Sequence, residues 1–380
     1  MIAHLKRTDT PRGRLLATSD IHGNIKMFDE LLELIKLTDD DVLVIVGDMC
    51  ERGEDSLGVI RRAMELTGRG NVHVLAGNKD LRAIEYATGE NGRVGSVVTK
   101  YVDGMADWGC STLFRDMCRE AGVPYSSDMD VAAAQSVFKE RFHAEIEFVK
   151  SLATFLETPE YMFVHGGVPS GEFEKYVGRS ADEFLKWDDF ICAGVHFDKY
   201  IIVGHTPASL YRPDYASSAP YICPEQKIID IDGGVGIKFD AQLNAIILPH
   251  GGGDFKWISA HGRDVRYALD AQTASSDPVN LRWRHNEVEI LSIEGDAARI
   301  RHVETGTELY APVTLLYDRI PEYVRGGKCL CDDISSYELD VQPGDELRIY
   351  FSTSHGYVAK KGDISGWYMG RISDRRPYCG

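Results

Sequence analysis

The stretch that most constrains this chain is Ser19-Asp20-Ile21-His22-Gly23-Asn24, which follows the apolar run Leu15-Leu16-Ala17 and precedes a helical pattern. An Asp and a His two residues apart at the end of a buried strand can both face one cation. Four later apolar runs end in the same manner, in Gly47-Asp48, Gly77-Asn78, His165-Gly166 and Gly204-His205. One Asp-x-His alone is weak evidence. Five such sets, in order and each at a strand end, point to a hydrolytic site built around two metal ions.

The apolar runs set the architecture. Val42–Val46 is continuous and largely β-branched, which suits a strand covered on both faces. Residues 14–19, 72–76, 161–164, 200–203, 227–234 and 245–248 read as further strands. Ile25, Phe28, Leu31, Leu32 and Ile35 recur at helical spacing, as do Leu57, Ile60 and Met64. Strands alternating with helices, with ligand-type residues at the carboxyl ends of the strands, mark the usual location of an α/β active site. Residues 81–160 carry helical periodicity and predict a mostly helical insertion walling one side of the site. Trp108 within it is read as core packing first and as a specificity element second. Asp39-Asp40-Asp41 lies away from the ligand ends and reads as a solvated turn.

Residues 270–280 form the best linker by composition. Beyond them come short strand patterns at 288–293, 297–303 and 307–312, joined by three-residue turns containing Gly295 and Gly306. Further strands are expected at 347–351 and 367–372. The expected organisation is a catalytic domain over 1–275 and a β-rich accessory domain over 281–380. The latter is expected to be a small β-barrel, with an SH3-like form as one option because residues 366–371 loosely match an SH3 strand.

The net charge of −17 disfavours nonspecific nucleic-acid binding, which depends on Lys and Arg neutralising phosphates. It leaves phosphate substrates open, since bound divalent cations reverse the local field; acidity otherwise reflects solubility. No stretch has the length and apolarity of a signal peptide or membrane span, so no membrane association and a cytoplasmic location are expected. The cysteines Cys50, Cys110, Cys118, Cys192, Cys223, Cys329, Cys331 and Cys379 are scattered without a Cys-x-x-Cys, which fits reduced thiols. Cys329-x-Cys331 would make only half of a zinc site.

Together the motifs Asp20-Ile21-His22-Gly23, Gly47-Asp48 through Glu51-Arg52-Gly53, Gly77-Asn78, His165-Gly166-Gly167 and Gly204-His205-Thr206-Pro207 resemble the metallophosphoesterases. Within that superfamily the resemblance is to the phosphoprotein-phosphatase branch, which includes serine/threonine phosphatases and diadenosine-tetraphosphate hydrolases. It covers about residues 14–250. It implies an α+β fold, a four-layer αββα sandwich of two sheets between helices. By motif position, Asp20 and His22 hold one metal, Asp48 bridges both, and Asn78, His165 and His205 complete the second. Such oxygen and imidazole ligands suit manganese, iron or zinc. Arg52 matches the family arginine that grips phosphate, through a planar fork able to bind two oxygens. Trp187-Asp188-Asp189 lies where that branch often carries a Trp-containing segment before another phosphate-binding arginine, and no clear arginine follows here.

One departure is informative. The usual Gly-Asn-His-Glu reads Gly77-Asn78-Lys79-Asp80, and the aspartate that partners the histidine is Glu51. Both members of an acid–orienter pair have changed together, which suggests an ion pair between Glu51 and Lys79. Lysine has a reference pKa near 10.4, against about 6.5 for histidine. Nearby dications lower it and Glu51 raises it, so the net direction is open from sequence.

The expectation is therefore a dinuclear metal-dependent phosphoester hydrolase, of phosphomonoesterase or protein-phosphatase type. Asp48, Arg52, Lys79 and Glu51 are its catalytic candidates, and Arg52, Asn78 and Lys79 its substrate-binding ones. The substrate would be a phosphoprotein, a nucleotide or a dinucleoside polyphosphate. The alternatives are a phosphodiesterase or dinucleoside polyphosphate hydrolase, and a catalytically weak phosphate-binding scaffold. The C-terminal domain could engage a protein partner.

Overall fold

Strands form where the apolar runs are continuous, because each of those strands faces two cores at once. The computed structural model describes residues 1–318 and 324–376; Cys379 lies outside the described residues. Contacts group the chain into two units. The first comprises residues 1–207, 220–237 and 241–262, and the second comprises residues 208–219, 238–240 and the chain from Arg263 onward.

In the first unit a five-stranded sheet runs in the order Lys256–Ala260, Leu243–Leu248, Leu15–Thr18, Val42–Val46, Val72–Leu75. Its last three strands are parallel, with Leu15 opposite Val42 and Leu43 opposite Val72. Leu16, Leu43, Ile45 and Val74 face a core shared with helices. Leu15, Ala17, Val44, Val46 and Leu75 face the other way, into a core shared with Phe163, Ile202 and Ile229 of a six-stranded sheet. The period-two alternation thus separates two apolar environments instead of core from water. The six-stranded sheet runs Leu5–Arg7, Phe155–Glu157, Tyr161–Val164, Tyr200–Val203, Ile228–Asp230, Tyr221–Cys223.

The helices Ile25–Ile35 and Ser56–Thr67 start where their sequences supply caps. The Asn24 side chain accepts from Met27 N–H, and Asp55 accepts from Gly58 N–H. Between residues 89 and 152 the chain forms the helices Ser96–Asp107, Leu113–Ala121, Val131–Arg141 and His143–Lys150. Phe114, Phe138 and Phe142 meet edge to face among them. Trp108 is 58% exposed, so the core-packing expectation fails there. Asp41 departs from the solvated-turn expectation in the opposite sense. It is buried, and its carboxylate receives the Arg14 guanidinium at 2.7 Å and Thr38 N–H at 2.9 Å.

The second unit is built of strands. One sheet runs Ile372–Ser373, Arg266–Ala268, Glu346–Ser352, Tyr357–Lys361, Ile364–Tyr368, Ala216–Ser217. Another runs Glu308–Pro312, Ala297–His302, Glu287–Glu294, Lys328–Leu330, Val324–Arg325. Neither closes into a barrel among the described residues. Residues 270–280 are not a free linker: Gln272 and Val341 exchange two main-chain hydrogen bonds of 2.8 Å, and Asp270 takes the Arg371 guanidinium at 2.8 Å. Cys329 and Cys331 sit in an apolar cluster with Val288 and Ile300, and burial pushes both thiols up. Packing accounts for that pair better than metal binding. Among the described residues no helix is long and apolar enough to cross a membrane.

Candidate metal centre

Each expected ligand sits just beyond a strand. Four of the six, Asp20, His22, Asp48 and His205, have φ between 50° and 75°, as do the neighbouring Glu51 and Arg52. Non-glycine residues in that region are held there against a steric cost, and such positions cluster at functional sites. Two glycines make room for the carboxylates. A Cβ at Gly77 would fall 2.1 Å from Asp48 Oδ1, and one at Gly204 would fall 2.2 Å from Asp20 Oδ2. Any side chain at either place would displace the carboxylate beside it.

The six candidates converge. Asp20, His22 and Asp48 offer ligand atoms that all lie within 4.8 Å of one another, and so do Asp48, His165 and His205. Asp48 belongs to both groups. Its Oδ2 is 3.8 Å from His22 Nε2 and its Oδ1 is 3.3 Å from His165 Nε2. Asn78 Oδ1 lies 3.2 Å from the same His165 nitrogen. The imidazoles are oriented from behind. His22 Nδ1 donates to the Cys50 carbonyl at 3.0 Å, and His165 Nδ1 donates to the Val46 carbonyl at 2.8 Å. With Nδ1 so committed, Nε2 of each ring is the atom turned inward; at His165 it faces the Asp48 and Asn78 oxygens, and it would give up its proton to a bound ion.

The charges favour cations. Burial lowers the His22 imidazole to about 4, keeping it neutral. At His165 burial also opposes the charged form, but Asp48 and Asp20 outweigh it and raise the ring to about 10. Positive charge is therefore strongly favoured at that point. Asp48 remains ionised: burial works against its charge, and His165 and His22 more than offset that. Burial raises Asp20 to about 7, and its Oδ1 is buried with no hydrogen-bond partner. An orphaned carboxylate oxygen beside a second buried carboxylate and inward-facing imidazole nitrogens fits a divalent cation.

The structure places the remaining candidates around this cluster. Arg52 Nη1 reaches the Gly236 carbonyl at 3.4 Å, and the Arg52 main chain exchanges two 2.9 Å hydrogen bonds with Ser111 of the insertion. The expected Glu51–Lys79 ion pair does not form. Glu51 instead accepts from Tyr101 Oη at 2.5 Å and from Leu113 N–H at 3.0 Å. A buried carboxylate takes the donors held nearest to it, and both come from the insertion. Burial raises Glu51 to about 7. Lys79 is lowered, first by burial and then by Arg52, against the pull of Asp48 and Glu51. The direction left open by the sequence is thus downward. Lys79 N–H also donates to Asp48 Oδ1 at 2.8 Å.

Several supporting residues were not identified from sequence. Asp80 accepts main-chain N–H groups of Met49, Cys50 and Gly77 at 2.8–3.0 Å, tying the second and third ligand turns together. Asp188, in the Trp-containing segment that no clear arginine follows, meets His205 Nε2 with its carboxylate at 2.9 Å. Asp230 and Asp232 are buried behind the site, and both are pushed up by burial. An Asp next to a strand end was the one available signal for these last two.

Two curated relatives are symmetrical bis(5'-nucleosyl)-tetraphosphatases. One, from Nitrosospira multiformis, is 37% identical over 76 residues, which is 20% of this chain and 27% of the relative. The other, from Buchnera aphidicola subsp. Schizaphis graminum, is 43% identical over 72 residues, 19% of this chain and 26% of the relative. The chain thus matches about a quarter of the length of each. Among solved structures, a protein serine/threonine phosphatase from Saccharomyces cerevisiae aligns over 68% of this chain and 84% of its own, at 13% identity and a TM-score of 0.42. The sequence profile of the calcineurin-like phosphoesterases matches residues 13–262, which include every ligand candidate, and the chain belongs to that family.

Proposed function

We propose that the chain is a dinuclear metal-dependent phosphoester hydrolase acting on phosphomonoesters. The observation that carries this reading is the sharing of Asp48 between two ligand groups. Asp20 and His22 would hold one divalent ion, Asn78, His165 and His205 the other, and Asp48 both. When bound, such ions supply Lewis acidity and an activated water. The oxygen–imidazole ligand set supports manganese, iron or zinc.

The chain's own residues do the rest. Arg52 binds phosphoryl oxygens through its fork. Lys79, with its pKa lowered, holds a proton on Nζ that it can give to the departing oxygen, or stays charged and stabilises that oxygen. Glu51 positions the Arg52 turn, anchored by Tyr101 and Leu113. The two-sheet core with helices supports the αββα sandwich, with residues 1–275 as catalytic domain, 81–160 as its helical insertion and 281–380 as an accessory module for a protein partner. An SH3-like form of that module finds no closed set of strand pairings among the described residues.

Phosphate release from nitrophenyl phosphate, set against bis-nitrophenyl phosphate, tests the reading with manganese or zinc present and after chelation. Metal-dependent turnover favouring the monoester is expected. Preference for the diester would install the phosphodiesterase alternative. No turnover of any ester by a metal-loaded preparation would leave the scaffold alternative. The tetraphosphatase names of the curated relatives favour dinucleoside polyphosphates as a second substrate class.

Lys79→Ala separates its roles. If Lys79 assists the leaving group, alkyl phosphates should lose about 10²-fold or more in kcat, while nitrophenyl phosphate, whose leaving group needs little help, loses much less. Equal losses on both would remove Lys79 from the leaving-group side.

A further inference from the structure

The three candidate imidazoles are not held alike. His22 and His165 are oriented through Nδ1 by main-chain carbonyls inside the protein, those of Cys50 and Val46. His205 is held on its other nitrogen, by a side chain: its Nε2 meets Asp188 Oδ1 at 2.9 Å. A ring bound through Nε2 has Nδ1 left to offer an ion, and either nitrogen serves as a metal ligand. His205 stands where such a ligand is needed. Its ring centroid is 5.4 Å from that of His165, and its main-chain N–H donates to Asp20 Oδ2 at 3.1 Å.

Burial separates the two ion positions in the same sense. Asp20, His22 and Asp48 are at most 2% exposed. At the other position the His205 side chain is 10% exposed and that of Asp188 is 41% exposed. A histidine–carboxylate contact this open is ordinarily a surface ion pair of small effect. Here the chain on both sides of Asp188 is fixed. The Phe184 carbonyl accepts Gly166 and Gly167 N–H at 3.0 and 3.1 Å, and a Cβ at Gly167 would fall 2.6 Å from the Phe190 ring. The Trp187 ring packs 5.2 Å from the same Phe190. The segment is thus fastened to the turn of one histidine of that position, while its carboxylate holds the other.

We propose that Asp188 is a positioning residue that holds His205 with Nδ1 toward the metal centre, and that the ion on Asn78, His165 and His205 is in consequence the exchangeable one of the pair. The proposal rests on the two-ion reading of the site. A carboxylate behind a metal-bound imidazole fixes the ring and raises its basicity, and removing one costs roughly 10- to 100-fold in metal affinity.

The test uses zinc alone on the 380-residue chain, with metal withdrawn stepwise by a competing chelator. Wild type should release two zinc ions in separate steps. Long-range proton–nitrogen NMR during the same withdrawal should show zinc on Nδ1 and a proton on Nε2 of His205, the reverse at His22 and His165, and His205 released before His22. Asp188→Ala should weaken the more easily lost ion about tenfold or more and leave the other unchanged. Asp188→Asn, whose amide oxygen still accepts the Nε2 proton, should lose less. Zinc on Nε2 of His205, release of His22 first, equal weakening of both ions, no weakening, or an asparagine variant as impaired as the alanine one would overturn the proposal. A wild type that binds fewer than two ions would overturn it together with the two-ion reading. Because no turnover is measured, a protein that hydrolyses no ester yet shows the selective loss would refute the hydrolase and not the role of Asp188. Unfolding temperatures measured without metal check that each variant folds.

Discussion

Asp48→Asn should abolish turnover, lowering kcat/KM for a phosphomonoester on the order of a thousandfold or more. The estimate follows from the loss of metal-based charge stabilisation worth about 4 kcal/mol. Asp48 is the one side chain present in both ligand groups, so no other single replacement touches both ions. The substitution keeps the shape and retains an oxygen able to accept Lys79 N–H, now at 2.8 Å, so the turn around Gly77 should survive. What disappears is the negative charge that raises His165 and offsets the burial of His22. Metal analysis should therefore show less than the wild-type content, with an unfolding temperature close to that of wild type measured without added metal. Full metal content with full activity would take Asp48 out of the bridging position.

The ligand set was legible in the sequence because every member lies just past a strand, and the strand announces itself. Val42–Val46 ends at Asp48 within two residues, and Tyr200–Val203 ends at His205 within two. Local pattern plus ligand chemistry was enough. The supports were not legible, because their partners are far along the chain. Tyr101 is fifty residues from Glu51, and nothing in the spacing of the helix Ser96–Asp107 marks its hydroxyl for a carboxylate. The expected Glu51–Lys79 pair failed for the same reason: complementary charge is visible in sequence, whereas nearer donors from an insertion are not. Asp188 is a converse case. The Trp187-Asp188-Asp189 segment carries no clear arginine, and what it contributes is an anion that holds His205, seventeen residues on. In the second unit, residues 208–219 and 238–240 join strands that begin only after residue 262, a grouping that no local periodicity encodes.

Arg52→Ala should lower kcat/KM about 10²- to 10³-fold, the range found when one donor to a developing anionic centre is removed. The alternative for an arginine here is a surface ion pair, and among the described residues no carboxylate lies within 4.0 Å of it. Among the described residues its one side-chain hydrogen bond is a long one to the Gly236 carbonyl, and its Nε is buried without a partner. The side chain is held but not satisfied, which suits a group waiting for phosphoryl oxygens. The fold does not need it, since the two bonds to Ser111 use main-chain atoms that alanine also has. Arg52→Ala should accordingly keep wild-type metal content, unlike Asp48→Asn, and the two variants separate phosphate binding from metal binding. Arg52→Lys retains the charge but lacks the planar fork, so it should recover less than about tenfold of the loss. Inhibition by orthophosphate should weaken in parallel with kcat/KM. A lysine variant as active as wild type would mean that Arg52 contributes only its charge, and an alanine variant as active as wild type would return it to the surface.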